Sequence, residues 1–118
     1  MAAFPDLKLM AVHGGGYLPG HSGGIDHACG AREDTHAGLA LPPTHYLRRV
    51  YLDTIVFTPL QLRYMLDMFG PDRIRTDYPF DMAEHDPIGH IVSTPGVDDT
   101  ILKALSGGNA IKALGLTV

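Results

Sequence analysis

Val50-Tyr51-Leu52-Asp53-Thr54-Ile55-Val56-Phe57-Thr58-Pro59-Leu60-Gln61-Leu62-Arg63-Tyr64-Met65-Leu66-Asp67-Met68-Phe69-Gly70 is the stretch whose reading decides the fold. Its first seven residues are rich in β-branched and aromatic side chains and predict a strand. Thr58 then stands where a helix N-cap belongs, with Pro59 at the first helical position and Gln61 completing a capping box. Leu62, Met65, Leu66 and Phe69 recur at i, i+3, i+4 and i+7, an apolar stripe on one helix face. Gly70-Pro71 stops the helix. One strand running directly into one amphipathic helix is the unit from which parallel α/β folds are built.

The same pattern extends in both directions. Upstream, Leu7–Val12 is an apolar run halted by three glycines, which predicts a buried parallel strand. Tyr17–Ala28 holds a short helix weakened by glycine, residues 30–43 form a long loop, and Pro42-Pro43-Thr44 opens a short helix through Arg48. Downstream, Arg73–Thr76 leads into Asp77 as a very short strand, and Asp81–Pro87 is an acidic loop. Asp98 or Asp99 caps a helix to about Ser106. Asn109 caps a last turn or two, closed by Gly115. The order strand, helix, strand, helix, strand, helices predicts βα units around a parallel sheet.

The 118 residues fit a single domain over residues 1–118. Hydrophobic residues make up 45%, enough for a core, while charged residues make up only 19%, which points to surface meant to be covered. The net charge of −4, with no basic cluster beyond Arg48-Arg49, disfavours nucleic acid as a partner. Cys29 is the sole cysteine, so no intrachain disulfide can form and a reducing compartment fits. The first residues show no signal-peptide pattern and no run reaches 18 apolar residues, so a soluble, cytoplasmic protein without membrane contact is expected.

Two side chains close strands at glycine- or proline-rich turns, the position from which α/β proteins aim chemistry at a pocket. His13 precedes Gly14-Gly15-Gly16 and suits proton transfer or metal binding. Asp77, within Thr76-Asp77-Tyr78-Pro79-Phe80, places a carboxylate in an apolar setting that calls for a cation or donors. Each has a plainer reading: a turn histidine bonded to nearby carbonyls, and a turn-capping aspartate. Gly20-His21-Ser22-Gly23-Gly24 matches the hydrolase elbow G-x-S-x-G, but no strand of adequate length precedes Ser22, so an esterase is not expected. His21, His27, His36, His45, His85 and His90 show no metal-ligand spacing, and zinc takes at least three protein ligands.

Taken in order, His13–Pro19, Ile25-Asp26-His27, Tyr46–Thr54, Gly70–Ile74, Thr76–Phe80 and Gly107-Gly108-Asn109-Ala110 resemble the aminocarboxymuconate-semialdehyde decarboxylase-like family of amidohydrolase-related proteins. The resemblance runs from Phe4 to Leu116. It implies a partial (β/α)8 TIM barrel comprising about the last three βα units, in α/β architecture, completed or covered by oligomerisation. It implies a divalent metal, zinc by expectation, held in part by Asp77. It implies that His13 activates metal-bound water or handles a proton, and that Asp77 also serves catalysis. The reactions implied are decarboxylation or hydrolysis of small carboxylic acids.

The chain departs from that pattern in particular places. The family's His-x-His and its strand-five His have no counterpart here. The segment before Asp77 is about two residues short, with Arg75 where an apolar strand residue is expected, and Gly24 stands in place of an arginine. Two functions are therefore compatible with the sequence. One is part of a metal-dependent decarboxylase or hydrolase that depends on a homo-oligomer or complementing chain. The other is a non-catalytic, self-associating α/β domain without an intact metal site.

Overall fold

The computed structural model describes residues 3–36, 38–77 and 84–117. Among these, three short strands form one parallel sheet in the order β1 (Met10–Ala11), β2 (Tyr51–Asp53), β3 (Ile74–Arg75). The crossovers carry α1 (Tyr17–Ala31) and α2 (Pro43–Leu47) between β1 and β2, and α3 (Pro59–Phe69) between β2 and β3. After β3 come α4 (Pro87–Val92), α5 (Asp99–Lys103), a π-helical segment at Ala104–Gly108, and α6 (Asn109–Leu114). The alternating α/β order expected from the sequence is thus present.

The core follows from the stripe on α3. Leu62, Met65, Leu66 and Phe69 are all buried against Val50, Leu52 and Ile74 of the sheet region, and Ile91 and Leu105 close the cluster. Thr58 caps α3 as its sequence requires, its side chain accepting from the Gln61 N–H.

The strands are shorter than their apolar runs, and the reasons are local. β2 stops at Asp53 instead of running to Val56 because the Asp53 carboxylate accepts from the Ile55 N–H at 3.0 Å. The Val56 N–H then turns back onto the Thr54 carbonyl, ending the ladder. β1 loses its first residues because the Leu7 N–H closes a turn onto Phe4. Conversely, α1 runs three residues beyond Ala28 despite Gly20, Gly23, Gly24 and Gly30. Tertiary contact supports it, with Pro19, Ser22 and Cys29 buried and Asp26 accepting from the Thr44 N–H at the start of α2.

Ser22, the candidate elbow serine, lies inside α1 and is buried, its hydroxyl donating to the Pro19 carbonyl at 3.1 Å. It is a helical core residue. The loop at 30–43 contains a 3-10 turn, Glu33–Thr35. Of the acidic loop, residues 81–83 lie outside the described residues, as do 78–80 after Asp77. The sequence reading overlooked α4, whose N-cap Asp86 accepts from the Gly89 N–H at 2.8 Å.

Arg75, out of place in an apolar strand, points away from the core. Its paired neighbours alternate faces: Leu52 and Ile74 go inward, while the Arg75 and Arg73 guanidiniums lie 4.4 and 5.0 Å from the Tyr51 ring centroid. Cation–π contact thus accommodates two arginines on the sheet face opposite α3.

The two outer sheet edges differ. In a parallel ladder alternate residues direct both backbone groups to the same side. On β3 the outward groups are taken by the chain itself: the Ile74 carbonyl accepts from Asn109 Nδ2 at 2.6 Å, and the Thr76 N–H donates to Leu105 at 2.9 Å. On β1, the Tyr51 N–H donates to Leu9, which leaves the Met10 groups facing outward. Leu7, Leu9 and Val12 are exposed along that edge.

Candidate functional site

Because all three strands are parallel, His13 and Asp77 emerge from the same, C-terminal, end of the sheet. They follow the two outer strands, with β2 between them, so the strand axes that carry them are about 10 Å apart. His13 is exposed and Asp77 half-buried. His13 lines a cleft of about 510 Å3 between the starts of α1 and α3, together with Gly16, Phe57, Gln61, Tyr64 and Met65. Asp77 is not among that cleft's lining residues. The two candidates therefore share an end of the sheet but not this cleft.

The backbone around His13 is unusual. His13, Gly14, Gly15 and Gly16 have φ of 55°, 62°, 77° and 56°, four consecutive residues in the left-handed region. Glycine is required at two of them for a second reason as well. A Cβ on Gly14 would lie 2.2 Å from Val56 Cγ1, and one on Gly15 would lie 2.7 Å from Leu52 Cδ2. The loop is pressed onto β2 and the turn beyond it. Phe57, on the opposite wall, has φ of 59°. Together with His13 it makes up the positive-φ non-glycine residues of the described chain, and strained backbone of this kind collects at binding and catalytic sites.

Asp53 organises this loop, and the sequence reading did not single it out. It is 1% exposed. Oδ2 accepts from the His13 N–H at 2.7 Å, and Oδ1 from the Gly14 N–H at 2.8 Å and the Ile55 N–H at 3.0 Å. A buried carboxylate needs such donors, and consecutive N–H groups of a left-handed turn supply them. The signal was present in the sequence: one carboxylate inside an otherwise apolar strand must find partners, and His13-Gly14 could provide them.

Among the described residues, no three or more His, Cys, Asp or Glu side chains gather as a metal site would require. Asp77 offers one carboxylate, and His13 lies two strands away. The described residues do not by themselves fit a metal centre.

Parallel strands joined by helical crossovers, with His13 and Asp77 in the segments that follow the two outer strands, form a βα-type arrangement. No family model matches the chain. The chain is 34% identical over 115 residues to 2-amino-3-carboxymuconate-6-semialdehyde decarboxylase of Dictyostelium discoideum, a match covering 95% of this chain and 32% of that protein. The structure of 5-carboxyvanillate decarboxylase LigW from Sphingomonas paucimobilis superposes with a TM-score of 0.83 at 26% identity, over 98% of this chain and 36% of that one. A dihydroxybenzoic acid decarboxylase from Polaromonas, described with bound manganese, shares the fold at TM-score 0.80 and 23% identity, over 97% of this chain and 35% of that one. The chain belongs to the aminocarboxymuconate-semialdehyde decarboxylase-like, amidohydrolase-related family. It spans about a third of the length of the relatives it matches.

Proposed function

We propose that the chain carries the proton-transfer part of a decarboxylase site for small aromatic or unsaturated carboxylic acids, and that its three βα units are the last three of a (β/α)8 barrel. The observation that carries this reading is His13, exposed on a left-handed loop that Asp53 holds and lining a cleft of about 510 Å3. An aromatic acid bound there would lie against Phe57, Tyr64 and Met65, whose apolar and aromatic surfaces suit a planar ring. In decarboxylation the bond between ring carbon and carboxyl carbon breaks, CO2 leaves, and the electron pair remains on the ring carbon. That carbon then takes a proton, for which His13 is the proposed donor.

The relatives' chemistry suggests a divalent ion; zinc was the expectation from resemblance, whereas the Polaromonas structure is described with manganese. Asp77 is proposed as one ligand, and the rest of the coordination sphere comes from outside the residues described. Whatever supplies it meets an open edge on β1 and an occupied one on β3. Self-association or a complementing chain along β1 is therefore part of the proposal.

The test is an NMR titration with a hydroxybenzoic acid. The reading expects perturbations confined to His13, Phe57, Gln61 and Tyr64, with millimolar or tighter affinity, and their loss in Phe57→Ala. A uniform or absent response at several millimolar ligand contradicts it.

A further inference from the structure

We infer that Asp53 is a positioning residue: its buried carboxylate holds His13 in the left-handed conformation and joins the two walls of the cleft. This rests on the reading of His13 as the proton carrier. The carboxylate reaches both loops. Through the His13 and Gly14 N–H groups it grips the turn after β1, and through the Ile55 N–H it grips the turn after β2. Those turns bring His13 and Phe57, the two strained residues, to one cleft.

Asp53 has another partner within its register. It pairs across the parallel ladder with Arg75, an oppositely charged neighbour on the same sheet face. Yet the guanidinium stacks on Tyr51, and the carboxylate turns to three N–H groups of the loops. Among the described residues the salt bridges are Arg32–Asp34 and Arg63–Asp67, neither involving Asp53. A histidine at φ of 55° is unfavourable in isolation and persists only where its surroundings hold it. Two short N–H contacts to one buried carboxylate are that hold.

Asp53→Asn keeps the shape but presents an NH2 group where a loop N–H needs an acceptor. The expected result is local. The His13 or Gly14 amide exchanges about 10-fold or more faster, while the Leu66 amide in α3 keeps its protection relative to global unfolding. The strong intraresidue H–N to Hα NOE of His13, which a positive φ imposes, weakens as the residue relaxes. A change in overall stability alone would move all amides together and leave that NOE intact. A folded Asp53→Asn chain with unchanged His13 NOE and amide protection overturns the inference. If the variant does not fold, exchange in the wild-type chain decides. Amides of His13 and Gly14 protected about 100-fold, despite the exposed residue 13, support the clamp, and unprotected amides overturn it. None of these readouts requires turnover, so a failure of the decarboxylase reading leaves them interpretable.

Discussion

Gly14→Ala is expected to destabilise the chain by about 3 kcal/mol, a large share of the ~5–15 kcal/mol that a domain has in total. Two costs add. At φ of +62° an L-residue costs about 1–2 kcal/mol. The new methyl would also lie 2.2 Å from Val56 Cγ1, and a β-branched side chain has few rotamers with which to retreat, so overpacking contributes a further ~1–3 kcal/mol. Gly20→Ala is the matched control. It lies inside α1 at ordinary helical dihedrals, a Cβ there meets nothing within 4 Å, and the substitution should stabilise by about 0.5–1 kcal/mol. Urea unfolding of the two variants checks both signs. Equal, small effects would mean that the His13 loop is not pressed onto the turn after β2.

Leu52→Ala is expected to cost about 3–4 kcal/mol. Leu52 is 0% exposed in the centre of the sheet, packed within the cluster that α3 covers. Truncating such a leucine loses its transfer free energy and leaves a cavity. The position also links core to site, because Leu52 Cδ2 is the atom that a Cβ on Gly15 would strike at 2.7 Å. The cavity therefore opens beneath the His13 loop. Gly15→Ala should cost measurably less in the Leu52→Ala background than alone, a coupling of about 1 kcal/mol in a double-mutant cycle. Strict additivity would show that the Leu52 side chain does not support the loop.

How far the sequence reached depends on the kind of signal. α3 was legible residue by residue, because its cap, its proline and its four-residue stripe all encode local geometry, and each is realised. The order of elements and the parallel sheet followed from the same logic. Strand ends were not legible, since β2 is cut short by a side chain: the bond from the Ile55 N–H to Asp53 has no counterpart in an apolar run. The length of α1 was missed because four glycines argue against a helix that packing nonetheless sustains.

At the site, His13 and Asp77 were legible as residues closing strands, and the parallel order puts both at one end of the sheet. That the cleft takes His13 without Asp77 depends on how the loops fold over β2, which no spacing conveys. Asp53 illustrates the same limit. Its role lies in contacts with residues 39 and 40 positions away, visible in sequence only as a charge needing partners. Arg75, which conflicted with a strand in the sequence, is reconciled by Tyr51 across the ladder.

The proposed function assigns to this chain the proton carrier of a decarboxylase-type site and only a minor part of its metal ligation. The metal-to-chain ratio of purified protein, taken by elemental analysis on a sample whose mass is established by light scattering, tests it most directly. The account predicts an associated species carrying far less than one zinc or manganese per chain, with the little that binds lost on dialysis against a chelator. A stable monomer at high micromolar concentration that retains one divalent ion per chain through chelation would contradict it.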